Sequence, residues 1–529
     1  DAGMRQTKTI RTLLLALLAL AGCSTSSAES NDDERLPEST RTPGYESGAS
    51  LEVRVGRSTG VTLAGLGVEL DPHFLSQNVT RHDGAKASDW DEIVVPRIRK
   101  MGIQRFRVML LPHWWEPLND NGDPGVTALD RFTFESAEMR SLYKVLDIAQ
   151  EMNADVTLVL WGCPTYCDLL DPAYAGVKRH FLCSSEGTNW VVEPADSEEF
   201  AESFSTVVKH LIERRGYTCI KELTPFNEPD GNIIPLERYV PLAKVLDRRL
   251  RADGIRDKVR LNLSDNTDTR RFFLEGCARE LSQEADLFNS HTYIFGYDTP
   301  NSTVLAWEEA NVAAAATAGK KHFVGEFGSN QCVGATRQTD IDRYDRGVLM
   351  TRLVVNFLNA GAVGTSYWSL IDQYYGRNES YAAMQQLGMW RYMRAAYRQD
   401  PDPGVYDRLT DDYQPRPQYY AYSLLTRFVR KGSEVYPLDL GNEFAAGTAV
   451  RAADGRWTYV IANATDETLS FDLKNTLRGG MSACKVYVYE ERRLPDGDEL
   501  IAPSLQLENS GGTFCVGVKA RSVIVLTQL

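Results

Sequence analysis

The sequence predicts an α/β chain, a (β/α)8 TIM barrel with a C-terminal antiparallel β-sandwich domain. Three observations carry that prediction. Short β-branched or apolar runs alternate with longer helix-like segments eight times between Thr62 and Lys431. No Gly-rich phosphate loop follows any of the strands, which disfavours an open, doubly wound sheet. From residue 432 onward the pattern changes to short alternating runs separated by turn residues. Repeated βα units demand a parallel sheet with right-handed crossovers, and eight of them close into a barrel.

The units follow in order. "VTLAGLGVEL" precedes the helical "SDWDEIVVPRIRKMG", and "IQRFRVMLL" precedes "ESAEMRSLYKVLDIAQEMN". "ADVTLVLWG" leads through a long loop to "SEEFAESFSTVVKHLIERRG", and "KELTPF" to "PLERYVPLAKVLDRRLRADG". "KVRLNLSDN", "ADLFNSHTYIFG" and "KKHFVGEFG" each precede a further amphipathic run, and "AVGTSYWSL" precedes a helix near Pro417 to Lys431. The apolar period of each run separates helix from strand. Beyond the barrel, expected over residues 51–431, "WTYVIAN", "CKVYVYEE" and "SVIVLTQL" mark the sandwich at 432–529. "LEVRVG" at residues 51–56 is a candidate strand for that sandwich.

Ahead of the barrel, Arg5, Lys8 and Arg11 precede an apolar run from Leu13 to Ala21. That run reads as the h-region of a signal peptide over residues 1–22. It ends in Leu20-Ala21-Gly22-Cys23, which resembles the bacterial lipobox. The resemblance implies cleavage before Cys23 and lipidation of its sulfur. The expected location is outside the cytoplasm, lipid-anchored at the bacterial membrane or cell surface. Residues 23–50 are rich in Ser, Thr, Glu, Asn, Asp and Pro and predict a flexible tether.

With 58 basic and 72 acidic side chains the net charge is −14, which argues against a nucleic-acid partner. An exported chain permits disulfides. Cys484 and Cys515 are the expected pair, and Cys163, Cys167 and Cys183 share one loop where a bridge, or a zinc site lacking a clear fourth ligand, is the alternative.

The chemistry lies in two carboxylates. "KELTPFNEPDGN" puts Glu228 between an amide and a proline where the fourth strand ends, and "KKHFVGEFGSN" puts Glu326 at the end of the seventh. On an eight-stranded barrel these strands nearly face each other, so both side chains enter one cleft. Paired carboxylates suit glycosidic bond cleavage with retention, in which one attacks the anomeric carbon and the other protonates the leaving oxygen. Arg107, near the end of the second strand, is the cation expected to keep the nucleophile ionised. Neither a GxSxG elbow nor a His/carboxylate metal cluster is legible, and no cofactor or metal is expected.

These motifs resemble glycoside hydrolase clan A, in particular its families 5, 30 and 39. Asn227 and Glu228 in "FNEP", Glu326 in "VGEFG", Gly102 to Arg107 of strand two, His291 and Tyr293 in "NSHTYIFG" and Trp368 in "GTSYWSL" occur in the clan's order over residues 62–430. The resemblance implies Glu228 as acid/base, Glu326 as nucleophile and Asn227 on the sugar 2-hydroxyl. It also implies Tyr293 and Arg107 supporting Glu326, and Trp368 flooring the subsite of the reacting sugar. Glu69, His73, His113 and Trp161 are further candidates at strand ends for contacts to a carbohydrate substrate. Trp114 and Trp115 after strand two could stack on a sugar or pack, whereas Asp372 and Tyr374 read as a solvated loop. The competing function is an inactive, glycan-binding surface lipoprotein.

Overall fold

The structure, a computed structural model, describes residues 36–529 apart from 73–89, 166–172, 174–175, 177–178, 185–188, 232, 268–269, 294–295, 330–331, 334–336, 375–383, 386, 392–412 and 478. Cys23, His73 and Cys167 lie outside the described residues.

Eight parallel strands close the barrel: β1 (Gly65–Glu69), β2 (Arg105–Leu110), β3 (Asp155–Leu160), β4 (Ile220–Thr224), β5 (Arg260–Asn266), β6 (Leu287–Thr292), β7 (Lys321–Phe327) and β8 (Gly364–Tyr367). The last returns to the first, with Gly364 opposite Gly65. Helices α1 (Val95–Met101), α2 (Ala137–Glu151), α3 (Ser197–Lys209), α4 (Leu236–Ala252), α5 (Arg271–Glu280), α6 (Asn301–Ala316), α7 (Asp345–Ala360) and α8 (Pro417–Phe428) follow the strands in turn. Local signals start and stop them. The Ser136 hydroxyl accepts from the Met139 amide at the start of α2, and Asp196 accepts from the Glu198 and Glu199 amides at the start of α3. Gly361, at φ 105°, ends α7 in a conformation a side chain would strain.

The N-terminal part of the lumen holds a buried carboxylate whose oxygens are fully engaged. Glu222 of β4 accepts from Arg105 at 2.5 Å, Arg260 at 2.6 Å, Thr157 at 2.9 Å and Asn262 at 3.2 Å. These partners hold its carboxyl below the ordinary range although burial pushes the other way. Glu222 is a structural carboxylate.

The C-terminal strands are β9 (Glu434–Leu438), β10 (Ala445–Arg451), β11 (Trp457–Asn463), β12 (Leu469–Lys474), β13 (Ala483–Tyr489), β14 (Leu505–Glu508), β15 (Thr513–Val518) and β16 (Ser522–Thr527). A large sheet runs β14-β13-β16-β11-β10-β9, and a small one joins Ser50–Arg54, β12 and β15. Tyr459, Ile461, Ile524 and Leu526 enter the core between the sheets. Val460, Ala462, Val523 and Val525, alternating with them, join the barrel's core. The middle strands are buried on both faces, which is why "TYVIAN" and "SVIVLT" read as continuous apolar runs.

Three expectations are corrected. Residues 38–50 are docked, where a tether was expected: Glu38–Ser39 pairs with β14, Thr42 exchanges hydrogen bonds with Gly517, and the Tyr45 hydroxyl donates to Asp472 at 2.6 Å. Their partners are backbone and polar groups, so low apolar content did not prevent ordering. Ser50–Arg54 pairs in parallel with β12, as the candidate sandwich strand at residues 51–56 anticipated, so only the barrel's lower bound at residue 51 is moved. Cys484 and Cys515 are both free thiols. Cys484 faces the inter-sheet core, whereas Cys515 alternates with buried Phe514 and Val516 and so points away from it.

Candidate active site

Arg107 lies at the centre of the C-terminal mouth of the barrel. It is 2% exposed, and its guanidinium reaches four acceptors on four other strands or strand ends. Nη1 donates to Glu326 Oε1 at 2.6 Å and to Glu69 Oε2 at 3.0 Å. Nη2 donates to Asp265 Oδ2 at 2.6 Å and to Asn227 Oδ1 at 2.8 Å. Surrounding carboxylates raise its pKa against the opposing effect of burial, so it is a permanent cation.

His291 joins the two glutamates expected from the sequence. Its Nδ1 is 2.8 Å from Glu228 Oε1 and 3.4 Å from Glu326 Oε2, while Nε2 is 3.1 Å from Asp265 Oδ1. A neutral imidazole has one acceptor nitrogen, which cannot bond to a carboxylate. Nε2 donates to Asp265, while Nδ1 donates to Glu228 when that carboxyl is ionised and accepts from it when it is protonated. Burial disfavours a charged ring, but Glu326 and Asp265 outweigh it and hold His291 well above the ordinary imidazole range.

Glu326, at the end of β7, is 6% exposed and also accepts from the Tyr293 hydroxyl at 2.8 Å. Burial holds its carboxyl above the ordinary range, with Glu228 adding repulsion, against the pull of His291 and Arg107. Glu228 lies past β4 and keeps 36% of its side chain exposed to the cleft. Its φ is 44°, a left-handed conformation where an extended one is expected before proline. The Glu228 amide donates to the Asp265 carbonyl at 3.0 Å, and the Gly231 amide donates to the Glu228 carbonyl at 2.9 Å. Such clamping is what a strained backbone needs to persist.

One contact oxygen of Glu228, one of Glu326 and a nitrogen of His291 all lie within 4.8 Å of one another. A metal could take such a triad only if the imidazole offered a lone pair. Here Nδ1 is engaged by Glu228 and Nε2 by Asp265, so both ring nitrogens already have partners.

The other expected residues separate into groups. Asn227 holds Arg107, and its amide donates to the Leu160 carbonyl at 2.8 Å. Trp368 is half-buried after β8, with its amide 3.2 Å from the Phe327 carbonyl. Trp161 is buried and meets Trp190 edge-on at 5.1 Å, and Trp190 is 40% exposed. Glu69 is wholly buried on Arg107 and, where a sugar contact was expected, supports the guanidinium. Burial, with Glu326 and Asp71 adding repulsion, pushes its carboxyl well above the ordinary range despite Arg107. His113 is buried with Trp114 and His180 as ring neighbours. Trp115 is a packing residue whose indole donates to Ser203. Asp372 is buried, not solvated, because Arg416 grips both its oxygens at 2.7 and 2.9 Å. Cys163 and Cys183 are unbridged, and burial raises both thiols, Cys183 to about 11.

Sequence reasoning missed Asp265. It accepts from Arg107 and His291 together, and those cations hold its carboxyl low despite burial. Its φ of 53° and the 78° of Ser264 turn the end of β5 into the cleft. The available signal was the polar run Ser264-Asp265-Asn266 closing an otherwise apolar strand.

No protein-family model and no curated protein matches the chain. Solved structures do match. A GH30 endoxylanase from Clostridium papyrosolvens C71 aligns at TM-score 0.57 and 13% identity, over 90% of this chain and 99% of that one. SrfJ from Salmonella typhimurium aligns at 0.62 and 12%, over 92% and 94%. A GH51 arabinofuranosidase from Xanthomonas axonopodis pv. citri aligns at 0.55 and 13%, over 90% and 98%. The fold is the barrel-and-sandwich of these structures, the GH30 and GH51 glycoside hydrolases among them. At such identities the likeness concerns the fold, and the chemistry rests on the residues described above.

Proposed function

We propose that the chain is a retaining glycoside hydrolase that cleaves O-glycosidic bonds of a poly- or oligosaccharide. The observation that carries this reading is the pair Glu228 and Glu326, with contact oxygens no more than 4.8 Å apart across one cleft. Double displacement needs carboxyl groups about 5–5.5 Å apart, whereas inversion needs about 6.5–9.5 Å to admit a water.

In the first step Glu326 attacks the anomeric carbon while Glu228 gives its proton to the leaving oxygen. Arg107 and Tyr293 hold Glu326 by hydrogen bonds that orient one oxygen for attack. Glu228, the more exposed of the two, then takes a proton from water as that water releases the glycosyl ester. Asn227 would meet the sugar 2-hydroxyl, and half-buried Trp368 and exposed Trp190 would offer aromatic faces to the ring C–H groups, with buried Trp161 supporting Trp190. Since an endoxylanase and an endo-β1,6-glucanase share the fold, β-linked polysaccharides are the first substrates to assay. We also propose export and acylation at Cys23, supported by the lipobox-like segment. Labelled palmitate should enter the full chain and not Cys23→Ser.

The test is a panel of aryl β-glycosides and polysaccharides with wild type, Glu326→Ala and Glu228→Ala, each with and without azide. Glu326→Ala should lose about 10⁴-fold or more in kcat/KM and, with azide, yield the glycosyl azide of inverted configuration. A wild type that binds glycans and turns over none of them would sink the reading in favour of a binding lipoprotein.

A further inference from the structure

The loop after β2 and the first turns of α3 gather a second set of acids, apart from the cleft pair. Asp120, Glu199 and Glu202 each place a carboxylate oxygen within 4.8 Å of the other two, and they are only 7%, 8% and 1% exposed. Glu116 lies among them, also 1% exposed. Four buried acids in one place are expensive without a counter-charge.

Glu202 is the informative member. Neither of its oxygens has a hydrogen-bond partner. The groups that draw it towards the ionised form are the Thr127 hydroxyl and Arg249, whose Nη2 is 3.8 Å from Oε1. Arg249 has committed its donors elsewhere: Nε to Asp253 at 2.8 Å, Nη1 to the Pro124 carbonyl at 2.5 Å and Nη2 to the Thr127 hydroxyl at 2.8 Å. Meanwhile the other two acids are held in place. Asp120 accepts from the Asn121 amide at 2.7 Å and the Ala128 amide at 2.6 Å, and Glu199 accepts from Asn119 at 3.3 Å. A buried carboxylate with both oxygens open, facing two carboxylates held in position, is an incomplete coordination sphere.

We propose that Asp120, Glu199 and Glu202 bind a calcium ion. The donors are all oxygen, which selects a hard cation over zinc. Three carboxylate oxygens within 4.8 Å of one another can share one ion, and calcium accepts an irregular all-carboxylate set, whereas Mg²⁺ demands near-ideal octahedral geometry and keeps most of its waters. The ion would pin the loop after β2 to α3. Next to that loop the Glu116 carbonyl accepts from His180 Nε2 at 2.7 Å, and His180 belongs to the segment between Trp161 and Trp190. Calcium would thus brace the loop after β2 between α3 and the segment that carries His180, apart from the Glu228 and Glu326 pair.

The test uses the full chain after treatment with EDTA. Calorimetric titration with CaCl2 should give one ion per chain, and saturating Ca²⁺ should raise Tm by about 3–5 °C, with MgCl2 doing less. Glu202→Gln should weaken binding at least tenfold and lose the rise. If that variant does not fold, Glu199→Gln and the wild-type stoichiometry decide. A wild type that takes up no Ca²⁺ and melts at one temperature with and without it overturns the proposal. In that case a Glu202→Gln variant melting above wild type would show that protonation relieves the cluster.

Discussion

Asp265 Oδ2 stands 2.6 Å from Arg107 Nη2, and through this contact one carboxylate from β5 governs the guanidinium that holds Glu326. The same carboxylate receives His291 Nε2 on its other oxygen. Asp265 therefore fixes both cations of the site while remaining 0% exposed.

Asp265→Asn should lower kcat by about 100-fold with little change in KM, since a positioning residue acts on the reacting groups through others. Azide should not rescue it, in contrast to Glu326→Ala. The amide can no longer accept at both oxygens, so His291 should lose part of its hold on a proton. Imidazole chemical shifts followed against pH would show this. Unchanged shifts together with lost activity would refute the positioning role.

The pH–rate profile follows from Glu326. Its carboxyl is raised by burial, and attack needs the ionised form. Activity should fall as pH drops through a value above the usual carboxylate range near 4.3. An acid limb of kcat/KM below that range would contradict the assignment.

His291 makes a prediction about stability. Its folded pKa is raised above the unfolded value near 6.5, so protonation binds more tightly to the native state. That contribution is fully present below about pH 6.5 and is lost as pH rises through the folded value. Urea unfolding from pH 6 to 10 should show a decline in wild type that flattens in His291→Gln. Parallel curves would dismiss the imidazolium.

Gly325 should tolerate no side chain. A Cβ there would stand 2.3 Å from Asn289 Oδ1 and 3.1 Å from Asp265 Oδ1. Gly325→Ala should cost about 1–3 kcal/mol, read by denaturant unfolding, and should impair activity through Asp265. Wild-type stability in this variant would mean that the lumen is looser than these contacts require.

Glu222→Ala tests the opposite kind of glutamate. It leaves Arg105 buried without its 2.5 Å partner, so stability should fall by about 3–5 kcal/mol. Folded protein at low temperature should retain most of its activity. A catalytic defect without loss of stability would mean that the lumen cluster reaches the active site.

Much of the site was legible because strand ends announce it. Glu228, Glu326, Asn227, His291, Tyr293 and Arg107 each follow a β-rich run, and barrel geometry places such positions at one mouth. Asp265 was not legible, since an aspartate in "SDNTD" looks like any turn until its φ of 53° is known. Glu69 and His113 show the converse error: position at a strand end says nothing about whether a side chain faces the cleft or the packing around it. The free thiols of Cys484 and Cys515 carry the same lesson, because proximity in sequence does not decide which face of a strand a residue takes.

The sequence by itself determined the order of elements and the position of Glu228 and Glu326 at two strand ends, since hydrophobic period and strand-end position are local properties of the chain. Only the tertiary structure decided the charge network around Arg107, the carboxylates that raise the pKa of His291, and the burial of Asp120, Glu199 and Glu202. These depend on distances between residues far apart in the chain, where burial removes water and makes every charge answer to its neighbours.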